Sequence, residues 1–117
     1  MIGLDKRSIS KRAREIEFDI AKALGMKRVP LSGAAWHSKE DIESPTRIGQ
    51  VKATMSKSYS IQRSDLQELV KHGRRYNKRP LFVIAFDPDG TGPLDEDDVW
   101  IAIPLSSMKR DKSGRKD

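Results

Sequence analysis

Arg47-Ile48-Gly49-Gln50-Val51-Lys52-Ala53-Thr54 alternates with a period of two, so Ile48, Gln50, Lys52 and Thr54 share one face of an extended segment. Further along, Pro80-Leu81-Phe82-Val83-Ile84-Ala85-Phe86 is short and almost wholly apolar, as a central strand covered on both faces would be. Between them, Ser64 with Gln67 three residues on suits a capping box. Leu66, Leu69, Val70 and Gly73 line one side of the helix that follows. A strand, a helix and an apolar strand in succession indicate an α/β fold.

Outward from this centre the pattern continues. Ser8 or Ser10 caps a helix that runs to Leu24 and stops at Gly25, with Ala13, Ile16, Ile20 and Leu24 as its buried stripe. Lys27-Arg28-Val29-Pro30 reads as a short strand ending in the turn-prone Leu31-Ser32-Gly33-Ala34-Ala35. Asp41-Ile42-Glu43 begins the next, with Ser44-Pro45-Thr46 as its turn. On the other side, Asp87 to Asp98 is an acidic connection bearing Gly and Pro, and Val99 to Leu105 is a last strand. Trp100 and Phe82 are expected in the core. The order is therefore helix, three strands, helix, strand, strand. It predicts one α/β domain over residues 1–107 with a mixed central sheet flanked by helices, then a basic, disordered tail over 108–117.

A chain of 117 residues supports one domain, because a second would leave neither half enough apolar surface to bury. Hydrophobic residues make up 36% and charged residues 34%, so the core is thin and a symmetric homodimer would strengthen it. The absence of cysteine excludes disulfides, thiolate zinc sites and a cysteine nucleophile. No apolar run approaches the ~20 residues of a membrane span, which predicts a soluble, cytoplasmic protein with no membrane partner. Lys and Arg outnumber Asp and Glu by 23 to 17. The excess crowds at Lys6, Arg7, Lys11, Arg12 and Arg14, at Lys71, Arg74, Arg75, Lys78 and Arg79, and in the tail from Lys109 to Lys116. A polyanion such as DNA is the natural partner for such clusters, against the plainer reading of a lysine-rich soluble surface.

Several polar residues stand where apolar ones are expected. Glu17 falls inside the buried arc of the first helix, Gln50 and Lys52 flank Val51 in a strand short enough to be central, and Asp41 closes a Gly/Ser-rich loop. Buried charge without a partner is costly, so this set suggests mutual pairing or a bound metal. A hard divalent cation, Mg²⁺ or Mn²⁺, takes oxygen ligands from one or two carboxylates, water and a substrate phosphate. It lowers the pKa of a bound water, which fits phosphodiester hydrolysis. Asp41 and Glu17 would supply the acids, the Val51 carbonyl a backbone ligand, and Lys52 a cation for charge growing on the phosphate. Each residue has a plain alternative: Asp41 as a strand-start aspartate, Lys52 packing its stem on the sheet, Glu17 paired with Arg14 or Lys27, and Gln50 bonding across strands.

Arg28-Val29-Pro30-Leu31-Ser32-Gly33-Ala34, Lys39-Glu40-Asp41-Ile42, Gln50-Val51-Lys52-Ala53-Thr54 and Ser58-Tyr59-Ser60-Ile61 together resemble the PD-(D/E)XK nuclease superfamily. The likeness is to its small phage-type members, the Holliday junction resolvase-like endonucleases, and runs from about Ser10 to Phe86. It implies a restriction-endonuclease-like αβββαβ core plus one further strand, and a homodimer cutting branched DNA with Mg²⁺ or Mn²⁺. Localisation would be the host cytoplasm if the chain is phage-encoded. By resemblance, Glu17, Asp41 and Gln50 bind metal and Lys52 acts at the scissile phosphate. Arg28, Ser32, Lys57, Ser58, Lys71, Arg74 and Arg75 are the expected DNA contacts; Trp36, unusual in a loop, either stacks on a base or wedges into a junction, or is buried in the core or a dimer contact. The departure is Gln50, where most relatives carry Glu or Asp; Gln keeps a ligating carbonyl oxygen but lacks the charge. The rival reading is accordingly a non-catalytic DNA-binding module with a degenerate site. A third is an accessory subunit whose Asp95-Glu96-Asp97-Asp98 segment docks on a basic partner.

Overall fold

Alternation decides which way each strand faces. Leu81, Val83 and Ala85 turn to one side of the sheet, where they pack with Ile16, Ile20 and Ala21 of the first helix and with Met26, Ile42 and Val51. Phe82 and Ile84 turn to the other, against Ile48 and Leu69 of the second helix. The apolar run predicted as a central strand is thus apolar because helices cover both of its faces.

The computed structural model describes residues 6–29 and 41–109, with the side chains of 6–10 left aside. Helix α1 (Lys6–Leu24) leads through β1 (Lys27–Arg28) and β2 (Ile42–Glu43) into β3 (Arg47–Thr54). Helix α2 (Arg63–Tyr76) then connects β3 to β4 (Arg79–Phe86), and a single 3₁₀ turn (Glu96–Asp98) precedes β5 (Val99–Ala102). The sheet order is β1-β2-β3-β4-β5. The first three strands form an antiparallel meander, β4 lies parallel to β3 from Arg47↔Arg79 to Thr54↔Phe86, and β5 is antiparallel to β4. The fold is α/β with a five-stranded mixed sheet, as the element order predicts.

Four details differ from expectation. The α2 N-terminus does not use Ser64: the helix starts at Arg63 behind an extended Gln62 that makes no side-chain cap. Its C-terminus is closed by Asn77 in the left-handed region (φ 57°), while the Lys78 N–H donates to the Gly73 carbonyl at 2.7 Å. The last strand stops at Ala102, before Pro104, and residues 105–109 are helical. Trp100 is 62% exposed because β5 is an edge strand, whereas Phe82 is fully buried as expected. His72 of α2 is buried, with Nε2 3.3 Å from a Glu68 carboxylate oxygen. The tail beyond Lys109 lies outside the described residues.

Candidate active site

Asp41 stands immediately before β2, the strand that lies between β1 and β3. Its N–H donates to the Gly49 carbonyl and its own carbonyl accepts from the Val29 N–H, both at 2.8 Å, so it bridges the backbones on either side. Next to it, Ile42 pairs with Gly49. That approach requires glycine: a Cβ at position 49 would stand 2.7 Å from Leu81 Cδ1 and 2.9 Å from Ile42 Cγ1. Both neighbours are buried and have little room to give. Gly49→Ala is therefore expected to destabilise the domain by ~1–3 kcal/mol through overpacking, read as a lower urea midpoint. Because Asp41 is bonded to the Gly49 carbonyl, the same change displaces the candidate site.

On the N-terminal side of Ile42, a side chain takes over from the strand ladder. The Asp41 carboxylate (Oδ2) accepts the Val51 N–H at 2.7 Å. Its immediate sequence neighbours on β3 are Gln50 and Lys52, both half-buried and on the face that includes Ile48, the α2 side. The structure thus brings together Asp41 and the Gln50-Val51-Lys52 segment.

Glu17 arrives from the other side of the sheet. It follows Ile16 in α1, and its carboxylate accepts the Arg28 Nε–H at 3.3 Å, with both side chains largely covered. Its partner is neither Arg14 nor Lys27 but Arg28, which is thereby engaged within the protein rather than displayed as a lone DNA contact. Glu43, the other nearby acid, pairs with Lys78 at 3.2 Å on an exposed edge. Among the described residues no three His, Cys, Asp or Glu side chains stand together at metal-binding spacing. Lys57 and Ser58 are exposed in the connection from β3 to α2, and Lys71, Arg74 and Arg75 are exposed on α2. Ser32 and Trp36 lie outside the described residues.

Sequence reading missed two features. Arg12, one turn before Ile16 on the inner side of α1, grips Asp87 with two bonds, Nε to Oδ2 at 2.9 Å and a terminal nitrogen to Oδ1 at 2.8 Å. These bonds to Asp87, above all, raise the guanidinium pKa beyond its ordinary value. The signal was present as an arginine at helical spacing from the stripe and an acid ending an apolar strand. Tyr59 packs its ring 6.3 Å from that of Phe82, and burial, with a smaller effect of Asp65, pushes its phenol pKa up.

Comparison with protein-family models, curated proteins and solved structures found no match to this chain.

Proposed function

We propose that this chain is a metal-dependent endonuclease of the PD-(D/E)XK type, hydrolysing phosphodiester bonds of DNA on a restriction-endonuclease-like core. The observation that carries the reading is the Asp41 carboxylate bonded to the Val51 N–H at 2.7 Å, between Gln50 and Lys52. The order of α1, three antiparallel strands, α2 and a parallel β4 supports it. The donor set fits a hard cation with few protein ligands: one carboxylate from Asp41, an amide oxygen from Gln50 and the Val51 carbonyl, with water and phosphate completing the shell. Glu17, paired with Arg28 on the α1 side, stands apart from this set.

Bound Mg²⁺ or Mn²⁺ would supply a water acidified enough to attack phosphorus. Lys52 holds a positive charge beside the scissile phosphate and offsets the negative charge that grows there. Lys57, Ser58 and Arg75 of α2 hold flanking phosphates, which position DNA without reading its sequence. Branched DNA is the proposed substrate. The second reading, a DNA-binding module without cleavage, is favoured by one pair of observations: Gln50 stands in place of an acid, and Glu17 is held by Arg28.

Labelled linear, nicked, flap and four-way-junction DNA, incubated with Mg²⁺, Mn²⁺ or EDTA, separates the two readings. Cleavage of the junction with metal and none in EDTA is expected. Binding without cleavage on every substrate selects the second reading, and full activity in EDTA ends the metal-dependent one. In the same assay Lys52→Ala is expected to lower turnover at least ~10²-fold, the scale of losing one group that stabilises the transition state. A change in DNA affinity alone would make Lys52 a binding residue.

A further inference from the structure

Five of the large exposed apolar side chains fall within nine residues: Trp100, Ile101, Ile103, Leu105 and Met108. They belong to β5 and the segment that follows it. Among the described residues strand β5 pairs with β4 on one side and ends the sheet, so its other edge is open to a further strand. Successive residues face opposite sides of a strand, so Trp100 and Ile101 make that edge apolar on both faces. An exposed apolar edge of this kind is a template for another strand unless something covers it.

Charge says what the cover is. Asp95, Glu96, Asp97 and Asp98 stand immediately before β5. At its other end, a groove of about 630 Å³ runs between α2 and Ala102-Ile103-Pro104, with Leu66, Val70 and Phe82 in its walls and Arg63, Lys71 and Arg74 at its rim. Acid thus lies at the start of the strand and base at its end. A second copy turned antiparallel about a twofold axis brings each copy's acids to the other's cations, and such an isologous contact closes at two copies.

We propose that two copies of this chain pair along the free edge of β5, antiparallel, with residues 95–98 of each copy set against Arg63, Lys71 and Arg74 of the other. The five exposed apolar side chains, the strand edge and the acidic turn together supply the contact, for which a standard interface takes about 800 Å² from each partner. This proposal stands independently of the nuclease reading. It assigns Lys71 and Arg74 to the partner's acids and leaves Arg75, Lys57 and Ser58 facing DNA.

The test is sedimentation equilibrium on the full chain, with circular dichroism to verify the fold. The wild type is expected at twice its 13.2 kDa chain mass. Trp100→Glu, at a site open to solvent in the single copy, is expected to raise the dimer dissociation constant at least ~30-fold with unchanged secondary structure. Asp97→Lys/Asp98→Lys and Lys71→Glu/Arg74→Glu are each expected to weaken pairing about tenfold, and combining all four changes to restore it. A monomer at every concentration, or a dimer indifferent to Trp100→Glu, overturns the proposal. Failure of the combined variant to recover overturns the antiparallel arrangement.

Discussion

Asp41→Asn is expected to remove cleavage by at least ~10³-fold while leaving the fold and DNA affinity nearly intact, because a ligand to the cation contributes several kcal/mol to the reaction. The amide keeps the structural part of the aspartate's role. Its oxygen still accepts the Val51 N–H that Oδ2 now accepts at 2.7 Å, so β3 is not left with an unmet donor. What it loses is the negative charge, and with Gln50 already neutral the site has little to replace it. Asp41→Ala is the instructive contrast: it removes both parts, and the orphaned Val51 N–H adds a stability loss of ~1–3 kcal/mol. Single-turnover cleavage beside urea unfolding separates these effects. If Asp41→Asn cut within tenfold of the wild-type rate, the carboxylate would be a clasp between strands and the catalytic assignment would fail at its centre.

How far the sequence reveals this arrangement depends on how local each interaction is. Strand β3 was legible to its end residues, Arg47 and Thr54, because period-two alternation is intrinsic to one segment. Asp41 beside Gln50-Val51-Lys52 was legible because the short turn Ser44-Pro45-Thr46 folds β2 back on β3, and chain length does the rest. The partner of Glu17 was not legible. Arg28 reaches it across the change from helix to strand, and only packing of α1 on the sheet selects it over Arg14 or Lys27. Trp100 reads as core in an apolar strand, yet its exposure follows from β5 being last in the sheet, which alternation along one strand does not encode. Ser64 drew the expected α2 start because its residue type favours caps, but the structure places it inside the first turn.

Arg12 shows the converse, a charge that reads as surface and works as a clamp. Arg12→Leu is expected to lower stability by about 3 kcal/mol, with a fall in Tm of roughly 10–15 °C. Arg12 and Asp87 side chains are only 11% and 8% exposed, and the guanidinium also donates to the Gly92 carbonyl at 2.8 Å and to Glu15 at 3.2 Å. Asp87 closes β4 and donates its N–H to the Thr54 carbonyl at the end of β3, so one arginine ties α1 to the ends of both central strands and to the 87–92 turn. Removing it leaves a covered carboxylate without its bidentate partner, and that uncompensated charge, more than the lost attraction, sets the cost. Replacing both residues should therefore be milder than replacing one: Arg12→Leu/Asp87→Leu is expected to recover at least ~1 kcal/mol relative to the sum of the single variants. Thermal and urea unfolding of the three variants gives the coupling directly. Strict additivity would mean that the two bonds hold nothing together, and the orientation of α1 would then rest on the packing of Ile16, Ile20 and Ala21 and on the Glu17–Arg28 pair.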